Sequence, residues 1–172
     1  PKIISVDDHV VEPAHVWQTW LPKKHRERGP SVQRKRWGDF KLIPGARYEM
    51  VEDPEGLWGD AWYYDGRLIY VHKRFVAIPS VATTEDDAGK IEFDRSHMTM
   101  TPVTYDEMRP GCWDPAERIA DMDLVGMWAS ANFPSQITGF CGSVYSGCSD
   151  PAVGQACVVA YNDWFFEEWY TP

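Results

Sequence analysis

The sequence predicts an α/β fold in which parallel strands alternate with helices and a β-rich segment interrupts the alternation. Three observations carry this. Ile3-Ile4-Ser5-Val6 is a short run with β-branched side chains, of the kind buried on both faces of a parallel sheet, and it breaks abruptly into Asp7-Asp8-His9. Asp114-Pro115 and Asp150-Pro151 each read as a helix start, and the apolar residues 127–134 between them read as a strand. Asp65-Gly66 stands between two β-rich runs and signals a hairpin.

The elements follow in order. Side chains alternate faces along a strand, so Asp7 and His9 are expected on one side and Asp8 on the other. In parallel α/β proteins the carboxyl ends of the strands carry the site. A carboxylate and an imidazole converging there form a ligand set suited to Zn²⁺, Mn²⁺ or Fe²⁺. After Glu12-Pro13 a short helix is expected, with Val16, Trp17, Trp20 and Leu21 on one side and Pro22 as its stop. Glu12 reads as an acid in the first helical turn, where the helix dipole favours it. His15 and His25 read as surface residues.

Residues 30–112 hold many Pro and Gly and no long helical pattern. A structureless loop of that length is improbable in a compact domain, so a β-rich excursion is expected. Residues 37–42 and 48–51 suggest short strands beside the 62–71 hairpin. His72-Lys73-Arg74 closes that hairpin, and His72 and Arg74 are candidate cationic contacts for a substrate carboxylate. The acidic stretch 85–90 reads as a solvated loop. From Cys112 the α/β pattern resumes. A helix runs from Asp114 to about Leu124 with Ile119 and Met122 facing inward, and Gly126 closes it. After the strand at 127–134, a Gly/Ser/Cys loop (135–149) faces the same mouth as Asp7 and His9. The last helix carries Val153, Cys157, Tyr161, Trp164 and Phe165 on the face expected to pack on the outside of the parallel sheet.

Composition excludes several classes. The net charge is −9 over 172 residues, and the only basic clusters, 23–28 and 34–36, read as solvated, so nucleic-acid binding is not expected. No apolar run approaches the ~20 residues of a membrane span. Lys2 leads straight into a strand, which leaves no signal peptide at this start. The four cysteines, Cys112, Cys141, Cys148 and Cys157, match no metal-binding spacing and read as the reduced thiols of a cytoplasmic protein, with a Cys141–Cys148 disulfide as the alternative. Nine Trp residues, including Trp37, Trp58, Trp62 and Trp113, occur largely in polar stretches. Such aromatics pack on a domain face or on a partner, which leaves a homo-oligomer open.

Ile4-Ser5-Val6-Asp7-Asp8-His9-Val10-Val11-Glu12-Pro13 resembles the opening of the amidohydrolase-related proteins, the decarboxylase-like branch of the metal-dependent amidohydrolase superfamily. There the first barrel strand ends in a [D/E/H]-x-H metal motif. Weaker likenesses occur at Tyr70-Val71-His72-Lys73-Arg74, from Met98 to Trp113, at residues 121–134 and at Ala160-Tyr161-Asn162-Asp163-Trp164. The resemblance implies the amino-terminal portion of a (β/α)₈ TIM barrel. Residues 1–172 would be a partial barrel domain, because a closed barrel takes about 250 residues. Residues 30–112 would be an inserted lid or cap. Asp7 and His9 would be metal ligands, with zinc the expected ion and manganese or iron as alternatives. The remaining ligands would come from later strands that this chain does not match; His72 and His97 are the only stand-ins. The implied activity is hydrolysis or decarboxylation of a small organic, carboxylated substrate, with D-x-H rather than H-x-H favouring the carboxy-lyase branch. The fragment alone is expected to be inactive. The competing reading is a small non-enzymatic α+β interaction domain whose aromatic loops form the contact surface.

Overall fold

The computed structural model describes residues 2–44, 47–76 and 99–170. The stretch 85–90, His97 and Met98 lie outside them. The described residues form a mixed α/β structure with one parallel and two antiparallel sheets among them. Strand β1 (Ile3–His9) pairs in parallel with β7 (Met127–Phe133). Strands β2 (Ser31–Trp37), β5 (Leu57–Tyr64) and β6 (Arg67–Val71) form an antiparallel sheet in the order β2-β5-β6, and β3 (Lys41–Ile43) and β4 (Arg47–Glu49) form a small hairpin. The helices are α1 (Val16–Trp20), α2 (Pro115–Leu124), α3 (Ser143–Ser146) and α4 (Pro151–Trp164), the last continued by a wide turn over Phe165–Trp169.

Local chemistry explains the boundaries. Asp114 caps α2 by accepting from the backbone N–H groups of Ala116 (2.9 Å) and Glu117 (3.1 Å), with Pro115 at the first helical position where no N–H is needed. Gly126, at φ 70°, ends α2 in the left-handed region that other residues resist. Asp150 repeats the cap on α4 through Ala152 and Val153. Asp65 and Gly66 both have positive φ, which turns β5 into β6.

The main core lies between α1, α4 and one face of the antiparallel sheet. Trp17 stands edge-on to Trp62, with ring centroids 5.1 Å apart, touches Tyr145, and donates its indole N–H to the Cys157 carbonyl at 3.1 Å. Val10, Val16, Leu21, Tyr64, Ile137, Val153, Tyr161, Trp164 and Trp169 complete it. The apolar face of α4 therefore meets α1 and the antiparallel sheet, rather than the outer face of the parallel pair. Trp37 and Trp62, each within an expected strand, are core residues, while Trp58 is exposed.

Three further expectations change. β1 is not buried on both faces: Val6 is 71% exposed, and Ile3 and Ile4 are also open, because β7 is its only paired strand among the described residues. Ile119 is 46% exposed and Met122 half-buried; both border an open cavity of about 430 Å³ with Phe133, Phe165 and Trp169 instead of closing onto a core. The basic stretch at 34–36 is not a free solvated face. It lies within β2, where Arg34 grips the buried Asp60 carboxylate through Nε (2.8 Å) and Nη2 (2.9 Å) and reaches Asp106 at 2.6 Å. The β1–β7 pair leaves apolar side chains and strand edges uncovered. Residues 1–172 expressed alone should self-associate as concentration rises, by analytical ultracentrifugation. A soluble monomer with a sharp cooperative melt would contradict this.

Candidate functional site

The parallel pair places the site. β1 carries a bulge: Ser5 pairs with Ser130 but Asp8 pairs with Asn132, so β1 spends one more residue than β7 over this stretch. Bulges re-aim side chains and recur beside active sites. Here the bulge puts Ser5 and Asp8 on the same side, where the Ser5 hydroxyl donates to Asp8 at 2.8 Å. Asp8 also accepts from the Ser130 hydroxyl and from Arg118 of α2 at 2.9 Å. Burial pushes the Asp8 carboxyl up, but the hydrogen bonds from Ser130 and Ser5 and the Arg118 charge outweigh it and hold the group below its usual range. Asp8 therefore locks β1 to β7 and α2.

Asp7 and His9 turn the other way, together. His9 Nε2 stands 3.9 Å from Asp7 Oδ1, and both side chains are open, 60% and 86% exposed. They line a cavity of about 610 Å³ with Phe133, Pro134, Ser135, Gln136, Gly139, Phe140 and Cys141. The loop after β7 forms its wall, as the order of elements predicts. His9 Nδ1 lies 2.9 Å from the Pro134 carbonyl oxygen. A carbonyl only accepts, so Nδ1 carries a proton; in the neutral imidazole Nε2 is then the nitrogen whose lone pair faces the cavity. A ligating imidazole is commonly held in this way, by a hydrogen bond from its other nitrogen.

These two side chains fit a metal ion in part. Two donors at ~2.1 Å from a tetrahedral ion stand roughly 3.4 Å apart, so a shift of a few tenths of an ångström in the open Asp7 side chain would bring both into range. Among the described residues no group of three His, Cys, Asp or Glu side chains is placed to hold a metal. A complete site needs at least one donor from elsewhere.

The sequence reading missed Glu12. It is 0% exposed, and its carboxylate accepts from the Ser135 N–H (3.0 Å), the Ser135 hydroxyl and the Thr138 hydroxyl (3.0 Å). Burial raises its carboxyl above the usual range, against these hydrogen bonds. A first-turn acid was the wrong picture, because α1 begins only at Val16 and the partners lie more than 120 residues away. No local signal marks them.

His72 and Arg74 do not join the cavity lining among the described residues. His72 is 2% exposed, with Nε2 3.2 Å from the Tyr105 hydroxyl, which itself donates to the Glu12 backbone carbonyl at 2.7 Å. Burial lowers the imidazole from 6.5 to about 4, which favours its neutral form near pH 7. Arg74 is half-exposed at the end of the hairpin, its backbone N–H bonded to the Thr101 carbonyl. No described residue of the 30–112 excursion lines this cavity. All four cysteines are free thiols, and Cys141 is exposed at the cavity wall. His15 bonds Glu168 at 2.8 Å, at the surface as expected.

No family model and no curated protein matches the chain. Its fold is similar to the crystal structure of an amidohydrolase from Mycobacterium avium subsp. paratuberculosis K-10, with a TM-score of 0.53 and 22% identity. The match covers 98% of this chain and 38% of that one. The likeness is one of fold, and this chain spans well under half of its neighbour's length. Among the described residues no helix is long and apolar enough to cross a membrane.

The buried His72 generates a pH prediction. Between pH 6.5 and about 4 the unfolded chain binds a proton on this histidine that the folded chain refuses, so its contribution weakens stability as pH falls through that window and is constant above it. The full effect is on the order of 3 kcal/mol. Glu12, whose carboxyl is raised, acts with the opposite sign. Comparison with His72→Gln isolates the histidine: in urea denaturation at pH 7 and pH 4.5, the parent protein should lose about 2–3 kcal/mol more than the variant. Equal losses would contradict the burial of an uncharged imidazole.

Proposed function

We propose that this chain is the amino-terminal part of a metal-dependent enzyme of the amidohydrolase superfamily, acting on a small organic substrate. In this reading β1 and β7 are the first two strands of a (β/α)₈ barrel, and the excursion at 30–112 is an insertion after the first strand. Asp7 and His9 would hold a divalent cation, with zinc the best match to one carboxylate and one imidazole and manganese or iron as alternatives. The other ligands would come from later strands.

The observation that carries the reading is the pairing of Asp7 with a His9 whose Nδ1 is held by Pro134, leaving Nε2 free toward the cavity. The fold likeness to an amidohydrolase over nearly the whole chain supports it. The cavity wall adds chemistry. Phe133, Pro134 and Phe140 offer apolar surface, and Ser135 and Gln136 offer polar groups. No Lys or Arg is among these lining residues. A substrate carboxylate would find its counter-charge in the cation itself. That suits either cleavage of a carbon–carboxylate bond or hydrolysis of a polarised C–N or C–O bond, and Asp-x-His favours the carboxy-lyase branch. A bound cation supplies Lewis acidity to a substrate oxygen or a water. The chain's own residues would orient the ion, with Phe133 and Phe140 presenting apolar surface beside it.

Asp7→Ala and His9→Ala in the full-length protein should each lower bound metal below stoichiometry, by elemental analysis after dialysis. They should cut turnover at least about 10²-fold with an unchanged circular dichroism spectrum. Full metal content and retained turnover in both variants would remove these residues from the site.

A further inference from the structure

The chain invests a buried carboxylate in a place where the site described above has no direct use for it. Glu12 lies three residues after His9 and turns away from the cavity. It is completely buried, and three donors converge on it: the Ser135 N–H, the Ser135 hydroxyl and the Thr138 hydroxyl. A buried carboxylate is costly unless each oxygen is satisfied, so these contacts fix the position of the loop strongly. Ser135 directly follows Pro134, whose carbonyl takes the His9 Nδ1 proton. The loop that Glu12 holds also supplies Ser135, Gln136, Gly139, Phe140 and Cys141 to the cavity wall. Further along the loop Phe140 is 89% exposed and Cys141 sits at positive φ, and among the described residues neither side chain has a comparable buried anchor. The Glu12 contacts at 135 and 138 are therefore the fixed part of that wall.

The contact is also anchored from behind. The Glu12 carbonyl accepts from the Tyr105 hydroxyl at 2.7 Å, and Tyr105 packs edge-on against His72 with centroids 4.9 Å apart. The main chain at Glu12 is thus tied to Tyr105, and the preceding Val10 and Val11 N–H groups bond the Phe133 and Cys112 carbonyls, while the Glu12 carboxylate holds the loop after β7.

We propose that Glu12 is a positioning residue for His9: it clamps the loop at Ser135 and Thr138 so that the Pro134 carbonyl keeps the imidazole proton on Nδ1 and leaves Nε2 unprotonated toward the cavity. The consequence for metal binding rests on the reading that His9 is a ligand; the tautomer itself does not. Without the clamp, Pro134 relaxes away, His9 loses its acceptor, and the proton distributes over both nitrogens. An imidazole protonated on Nε2 cannot ligate through that atom.

The test is imidazole-¹⁵N NMR of histidine-labelled full-length protein, stripped of metal, at a pH above the ordinary histidine range. His9 is assigned by comparison with His9→Gln. The parent protein should show His9 protonated on Nδ1. Glu12→Leu should shift it to a mixture dominated by the Nε2–H form. Glu12→Gln, which keeps one carbonyl oxygen for the Ser135 N–H and the Thr138 hydroxyl, should restore the parent signature. His15, bonded to Glu168 elsewhere, is the internal control for an intact fold. If Glu12→Leu does not fold, the double variant Ser135→Ala/Thr138→Val decides: a partial shift of His9 supports the proposal and an unchanged signal overturns it. A folded Glu12→Leu in which His9 stays protonated on Nδ1 also overturns it. Zinc affinity should fall about 10–100-fold in Glu12→Leu and recover in Glu12→Gln. If zinc does not bind even to the parent protein while the tautomer shift occurs, the metal reading fails and the positioning role stands.

Discussion

At the carboxyl end of β1 three consecutive polar side chains have to leave the strand in two directions, and everything built around the cavity depends on that division. Asp8 turns toward Ser130 and Arg118, which ties β1 to the neighbouring strand and to the helix that precedes it. Asp7 and His9 are thereby sent to the opposite side as a pair. The alternation of side chains along a strand supplies the division. The bulge between Ser5 and Asp8 supplies the phase, because it recruits Ser5 to the Asp8 side and tightens that anchor. A charged group held on one face leaves the exposed ligand-like pair on the other with little freedom to exchange roles.

A second consequence concerns how the two sheets communicate. The antiparallel sheet supplies Asp60, held by Arg34, and Asp60 accepts the backbone N–H of Tyr105 at 2.8 Å. Tyr105 in turn carries His72 on its hydroxyl and bonds the Glu12 carbonyl. Polar groups this deeply buried cost free energy unless each finds a partner, so the network fixes the excursion relative to the exit of β1 rather than letting it hang as a loop. Through the Tyr105 hydroxyl the excursion reaches the Glu12 carbonyl, just beyond the exit of β1.

Much of this was readable in the chain because the signals are local. Asp114-Pro115 and Asp150-Pro151 fix helix starts within two or three residues, and Asp65-Gly66 fixes a turn by its own backbone preference. The convergence of Asp7 and His9 follows from spacing alone. What could not be read is what depends on distant partners. Glu12 looks like a first-turn acid until Ser135 and Thr138 arrive from more than 120 residues away. His72 looks like an exposed strand end until Tyr105 covers it. Arg34 looks solvated until Asp60 meets it across the β2–β5 pair. Ile119 and Val6 failed for the opposite reason: their patterns promised a covering layer that the described residues do not supply.

The central claim is that one carboxylate and one imidazole at the end of β1 share a cation. Anomalous diffraction at the metal absorption edge, on crystals of the full-length protein grown with zinc, tests it most directly. The account predicts a peak within about 2.3 Å of both an Asp7 carboxylate oxygen and His9 Nε2. A peak that contacts neither, or one bonded to His9 through Nδ1 with the Pro134 carbonyl displaced, would contradict it.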